Sequence, residues 1–191
     1  MTMPWFGARE LADHAFIDRL QRHRREFLDS DSLEAAAAQL AGDDFRGTRR
    51  FLRQVCRWGG YYGIAVRVAA SNPDDDIRNA FSCAHEKLER DDPVAALRAI
   101  NRLRGLGRPA FASKFLRFMR PQSAAILDSV ISRATGFRLN VQGYANLLQA
   151  CHGAAAHLAG VGVLCPIRPN GQWYVADIEA ALYADIIGLE S

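Results

Sequence analysis

The sequence predicts an all-α fold, and three observations carry that prediction. Apolar residues recur at helical steps, as in Leu97, Ile100 and Leu103 and again in Phe111, Phe115, Phe118 and Met119. Prolines and glycines fall where helices start and stop, with Pro93 and Pro109 at first-turn positions and Gly136 at a helix end. Only one short run, Gly162-Val163-Leu164-Cys165, could pass as a strand. At 191 residues and 49% hydrophobic content the chain can bury a good core, and a single compact helical domain over residues 1–191 fits that size.

In chain order, Trp5 and Phe6 are expected to tuck into a groove ahead of a helix over residues 9–28, whose inward positions are Leu11, Phe16, Ile17, Leu20 and Phe27. Ser32 caps an alanine-rich helix reaching residue 40, and its acidic opening suits the N-terminal dipole. Gly42 and Gly47 bracket a turn before a helix over 49–57. The rhythm breaks at Arg57-Trp58-Gly59-Gly60-Tyr61-Tyr62 and resumes over 64–70. Ser71-Asn72-Pro73 stops that helix and starts the next, over 74–90, with Ile77, Phe81, Ala84 and Leu88 on one face. After Gly136 a helix runs over 141–158, a loop over 160–171, and an amphipathic helix over 173–187 carrying Ile178, Leu182 and Ile186.

Residues 97–120 organise the chain. Gly105 and Gly107, one residue apart, let the backbone turn tightly between two helices, and Pro109 stands where a missing amide costs nothing. Such a turn presents bare amides at a helix N-terminus, with Arg104 and Arg108 beside them, which suits a phosphate oxygen. Arg104, Gly105, Leu106, Gly107 and Arg108 are therefore the candidate DNA-binding residues of a helix-hairpin-helix. The alternative is an RNA- or protein-binding helical domain in which the glycines merely make the turn. Net charge is only +3, yet Arg98, Arg102, Arg104, Arg108, Lys114, Arg117 and Arg120 crowd this region. The acidic runs Asp74-Asp75-Asp76 and Asp91-Asp92 lie outside it, which favours phosphate over an ordinary solvated face.

Leu103-Arg104-Gly105-Leu106-Gly107, followed by Ile126-Leu127-Asp128 and the helical Val130, Ile131 and Arg133, resembles the hairpin and downstream aspartate of the helix-hairpin-helix DNA glycosylase superfamily. Asp128 stands 21 residues beyond Gly107, in agreement with that family's spacing. The short chain and the pattern from Trp173 to Tyr183 are similar to the small 8-oxoguanine-glycosylase-like proteins of prokaryotes. The resemblance implies a helical bundle, with two small lobes around a cleft as one arrangement. It implies an enzyme that flips an oxidised purine or a modified pyrimidine out of double-stranded DNA and hydrolyses its N-glycosidic bond, in base-excision repair or phage defence. A non-catalytic helix-hairpin-helix module that only holds DNA is the alternative.

Cleaving that bond builds positive charge on the sugar, so a fixed carboxylate near the reacting carbon is required. Asp128, within segment 125–135, is the candidate, and capping a helix over 129–135 is a compatible second role. Bifunctional members of the superfamily carry a nucleophilic lysine two residues beyond the second hairpin glycine, and here that position is Pro109. Of 24 basic residues only Lys87 and Lys114 are lysines, so an attacking amine must be one of these. The reading is a monofunctional glycosylase using water assisted by Asp128, with Lys114 as the reserve nucleophile and phosphate donation as that lysine's plainer role. Trp58, Tyr61 and Tyr62 are candidates for stacking on an extruded base, and core packing is the competing reading.

Cys56, Cys83, Cys151 and Cys165 form no Cys-x-x-Cys and read as buried free thiols. The closely spaced C-terminal cysteines that hold an iron–sulfur cluster in some members of the superfamily are missing, so no metal and no cofactor is expected. No apolar run approaches a membrane span, and the N-terminus lacks signal-peptide regions. A cytoplasmic monomer, partnered by duplex DNA and by no membrane, is the expectation.

Overall fold

Gly7, at φ +64°, turns the chain between two short antiparallel strands, β1 (Trp5–Phe6) and β2 (Arg9–Glu10), where the sequence reading begins a helix. The reason is tertiary: the Ala8 amide donates to the Thr135 carbonyl at 2.9 Å, and a Cβ on Gly7 would lie 2.0 Å from that same oxygen. The structure is a computed structural model and describes residues 5–41, 45–107 and 109–188.

Ten α-helices follow among the described residues. Helix α1 (Asp13–Glu26) buries Phe16 and Leu20. Helix α2 (Ser30–Ala38) starts two residues ahead of the expected cap, and the Ser32 hydroxyl donates to the Asp29 carbonyl instead. Gly42 lies outside the described residues, and Gly47 sits inside α3 (Phe45–Trp58) rather than in a turn. The break at Gly59 and Gly60 separates α3 from α4 (Tyr62–Ser71), and Pro73 separates α4 from α5 (Asp74–Glu89). Helix α6 (Pro93–Ile100) is capped by Asp92, whose side chain accepts from the Ala95 amide at 2.8 Å. After the hairpin come α7 (Pro109–Met119), α8 (Ser129–Thr135), α9 (Val141–Gly160) and α10 (Val175–Ile186). Gly136 ends α8 in the left-handed region at φ +77°, as expected of a glycine stop. Residues 162–165 form no strand; they belong to a loop closed by the Cys165 amide on the Gly171 carbonyl.

The helices pack in two groups. Helix α10 runs along α1 and also meets α8 and α9, so the start and the end of the chain share one group. Helices α2 to α7 form the other, with Phe51, Phe81 and Phe115 meeting edge to face at its centre. Position between α1, α8 and α9 corrects the expected amphipathic character of α10: it is buried from Val175 to Leu182, including Asp177 and Glu179.

A buried ionic network joins the groups. Arg168 reaches Asp177 at 2.7 Å and Glu34 at 2.9 Å, and Arg117 of α7, only 1% exposed, reaches Glu34 at 2.8 Å. Charges taken this far from water persist only when each is paired.

The hairpin between α6 and α7 turns on Gly105 at φ +79° and Gly107 at φ +97°. It is clamped from the end of α4. Asn72 donates to the Arg104 carbonyl at 2.8 Å and accepts from the Arg104 amide at 3.0 Å, while Arg67 donates to the Gly105 carbonyl at 2.7 Å. Asn72→Ala is expected to lower stability by about 2 kcal/mol through the polar groups it strands, and to lower the melting temperature by about 4–8 °C in thermal denaturation.

Candidate active site

Asp128 precedes α8 in an extended conformation and divides its carboxylate between two duties. Oδ1 accepts from the Val130 amide at 2.9 Å and the Ile131 amide at 3.0 Å, which caps the helix. Oδ2 points away from the cap and lies 3.6 Å from Nζ of Lys114. Lys114 is buried, and its ammonium stands 5.5 Å from the centre of the Trp58 ring. Its aliphatic shaft passes Gly59, where a Cβ would sit 3.4 Å from Lys114 Cδ.

This pair lines a cavity of about 390 Å³ between the two helix groups. Phe27, at the end of α1, stands 5.8 Å from Trp58 and 6.0 Å from Tyr183 of α10. Tyr61 meets Phe111 of α7 edge to face at 5.1 Å. The walls are thus aromatic, the floor is charged, and the hairpin residues Leu106 and Gly107 form part of the rim. The volume and the mix of flat apolar walls with a few polar groups suit one planar heterocycle.

The model of a protein family described as "Putative 8-oxoguanine DNA glycosylase OGG-like protein" matches residues 5–183. The chain belongs to that family. No curated protein and no solved structure matches it. The OGG-like match runs from β1 to Tyr183, so it takes in every cavity residue named above.

Of the residues singled out in the sequence, this OGG-like cavity brings together Asp128, Lys114, Trp58 and Tyr61. Tyr62 does not join them. As the first residue of α4 it turns to the opposite side of that helix, is 69% exposed, and lines a different depression. Leu106 also departs from expectation, because the residue is fully buried under the turn and its amide donates to the Leu103 carbonyl at 3.4 Å. The Arg104 amide is spent on Asn72, leaving its exposed side chain. The amides of Gly105 and Gly107 have no partner among the described residues. Arg108 lies outside the described residues.

Phe27, Tyr183 and Glu179 are among the cavity residues that escaped the sequence reading. Phe27 and Tyr183 were placed only as members of helical patterns. Glu179 is 3% exposed and lines the cavity, within electrostatic reach of Arg117, Asp128 and Lys114. A signal existed: Asp177 and Glu179 lie two apart in an alanine-rich helix and so cannot share one solvent face.

Burial sets the protonation of the site. It pushes the Glu179 carboxyl up; Arg117 pulls it back, Asp128 pushes it further and Lys114 opposes, leaving it at about 8. Glu179 is therefore a neutral acid at pH 7 and can donate a hydrogen bond into the cavity. Burial also holds His23, which lines the cavity too, down to about 3, aided by Arg117 and Arg24, so its imidazole is neutral. Among the described residues, no group of three or more His, Cys, Asp or Glu side chains is placed to hold a metal ion, and no helix is long and apolar enough to cross a membrane.

A carboxyl raised in the folded state costs nothing below its unfolded pKa. The cost grows as pH rises toward the folded value and is complete above it. Glu179→Gln is thus expected to match the wild type in stability near pH 4.5 and to exceed it by about 3 kcal/mol at pH 7, read from denaturant melts across that range.

Proposed function

We propose that this chain is a DNA glycosylase that turns a damaged or modified base out of duplex DNA into the aromatic cavity and breaks its bond to deoxyribose. The observation that carries this reading is the Lys114–Asp128 pair, 3.6 Å apart on the floor of a cavity whose rim includes the hairpin glycine Gly107. One strand is gripped by phosphate contacts to the unspent amides of Gly105 and Gly107 and to the side chain of Arg104. The extruded base stacks against Trp58 and Tyr61, and protonated Glu179 donates a hydrogen bond to it.

Positive charge grows on the sugar as the base leaves, and the Asp128 carboxylate offsets it from a position that the first turn of α8 holds in advance. In hydrolysis, water forms the new C–O bond at the anomeric carbon, the C–N bond breaks, and the proton from water ends on the departing base. The ion pair favours a second reading, in which Lys114 passes a proton to Asp128 and its amine forms a bond to the same carbon as the C–N bond to the base breaks, the proton going on from Asp128 to the departing base. Opening of the bond between that carbon and the ring oxygen, which takes up the second amine proton, then gives the imine link that opens the way to strand cleavage. An oxidised purine, as in the family's description, is the first base class to test, with modified pyrimidines next. Genome repair and defence against phage are both roles that this chemistry serves.

Asparagine caps a helix as well as aspartate does, so Asp128→Asn is expected to keep α8 and the affinity for duplex DNA while slowing base release by about 100-fold or more. Release is to be measured across a panel of modified duplexes. If none yields abasic sites, the non-catalytic DNA-holding module replaces the enzyme. Borohydride trapping on DNA separates the two nucleophiles: a covalent adduct that disappears in Lys114→Gln assigns the amine, and base release without any adduct assigns water.

A further inference from the structure

Helix α4 has the cavity and hairpin on one side and a second depression on the other. Tyr61, Ile64 and Arg67 face the first, whereas Tyr62, Val66 and Ala69 face the second. The second depression, of about 340 Å³, is completed by Arg49, Arg53 and Arg57 of α3. These arginines step by four, so they line one helical face. Arg53 and Arg57 are exposed, and among the described residues they have no carboxylate partner and no acidic residue lines the depression. Arg49 is 3.9 Å from Asp74. Tyr62 and Val66 of α4, 69% and 71% exposed, line the same depression and add apolar surface open to solvent.

A surface of guanidinium groups around an exposed ring matches a polyanion that also carries flat or apolar units. Position selects which one. The depression is one helix away from the hairpin, a separation of about 10–12 Å, and the grooves that part the two backbones of B-DNA are about 6 and 12 Å wide. We propose that Arg53 and Arg57 hold two phosphates of the complementary strand of the same duplex whose other strand lies on the hairpin, with Tyr62 packed against a sugar between them. This inference rests on the DNA reading above. It adds that the protein spans both backbones, so that α4 sits astride one groove beside the extruded base.

The test uses the full chain, a duplex containing a tetrahydrofuran abasic analogue, and the single strand carrying the same analogue. For the double variant Arg53→Ala/Arg57→Ala, the slope of log Kd against log salt on the duplex is expected to fall by about 1.8, or about 0.9 per lost phosphate contact. On the single strand it stays unchanged. Tyr62→Ala is expected to weaken duplex binding alone, and hydroxyl-radical protection of the complementary strand disappears in the double variant while that of the analogue strand remains. Thermal melting of the variants checks that these exposed substitutions leave the fold intact. An unchanged duplex slope, or an equal change on the single strand, overturns the second-strand site while leaving hairpin binding in place. If the wild type itself fails to bind the duplex, or Gly107→Val binds it as well as wild type does, the DNA reading fails first and takes this inference with it.

Discussion

The site depends on how one carboxylate is shared. Asp128 gives Oδ1 to the first-turn amides of α8 and Oδ2 to the ammonium of Lys114. The cap fixes the direction of the carboxylate, because two amide hydrogen bonds to a single oxygen leave little rotational freedom. The same cap lowers the cost of a charge in a half-closed cavity, since the N-terminal dipole of the helix favours an anion there. Lys114 completes the compensation from the facing helix group. Each charge offsets the other beside the aromatic walls.

Around that pair the interior is arranged so that few further charges face the cavity. Glu34 and Asp177 are neutralised by Arg117 and Arg168, and the hydrogen bonds from Arg168 help hold Glu34 below the usual carboxylate range. Arg117 also works at a distance, adding to the burial that keeps His23 neutral and restraining the rise of Glu179. The network therefore ties α2, α7 and α10 together and sets the protonation of the pocket wall. Glu179 is left as a neutral donor, whereas Asp128 accepts the amide hydrogen bonds of the α8 cap, so two carboxyl groups in one cavity have different roles available to them.

The hairpin is not an independent module. Its conformation is held by Asn72 and Arg67 at the end of α4, and α4 begins at the same corner that supplies Trp58 and Tyr61 to the cavity. A displacement of the hairpin would thus be transmitted through one short helix to the aromatic wall. Gly105 belongs to that coupling in two ways, by its positive φ and by the Arg67 side chain, which would lie 2.9 Å from a Cβ.

Much of this was legible in the sequence because it depends on local chemistry. The helical rhythm, the first-turn prolines, the glycine turn and the capping aspartate each act within a few residues, and they placed α6, the hairpin, α7 and the start of α8. The identity of Lys114 as an amine within reach followed from there being only two lysines. What the sequence could not decide lies in contacts between distant segments. Tyr61 and Tyr62 are adjacent and alike, and only the packing of α4 sends one into the cavity and the other away from it. Residues 9 and 10 became a strand because the Thr135 carbonyl was there to hold the turn at Ala8. Helix α10 looked amphipathic until helices on several sides enclosed it, and burial, with Asp128 adding to it, made Glu179 a neutral acid at the wall of the site.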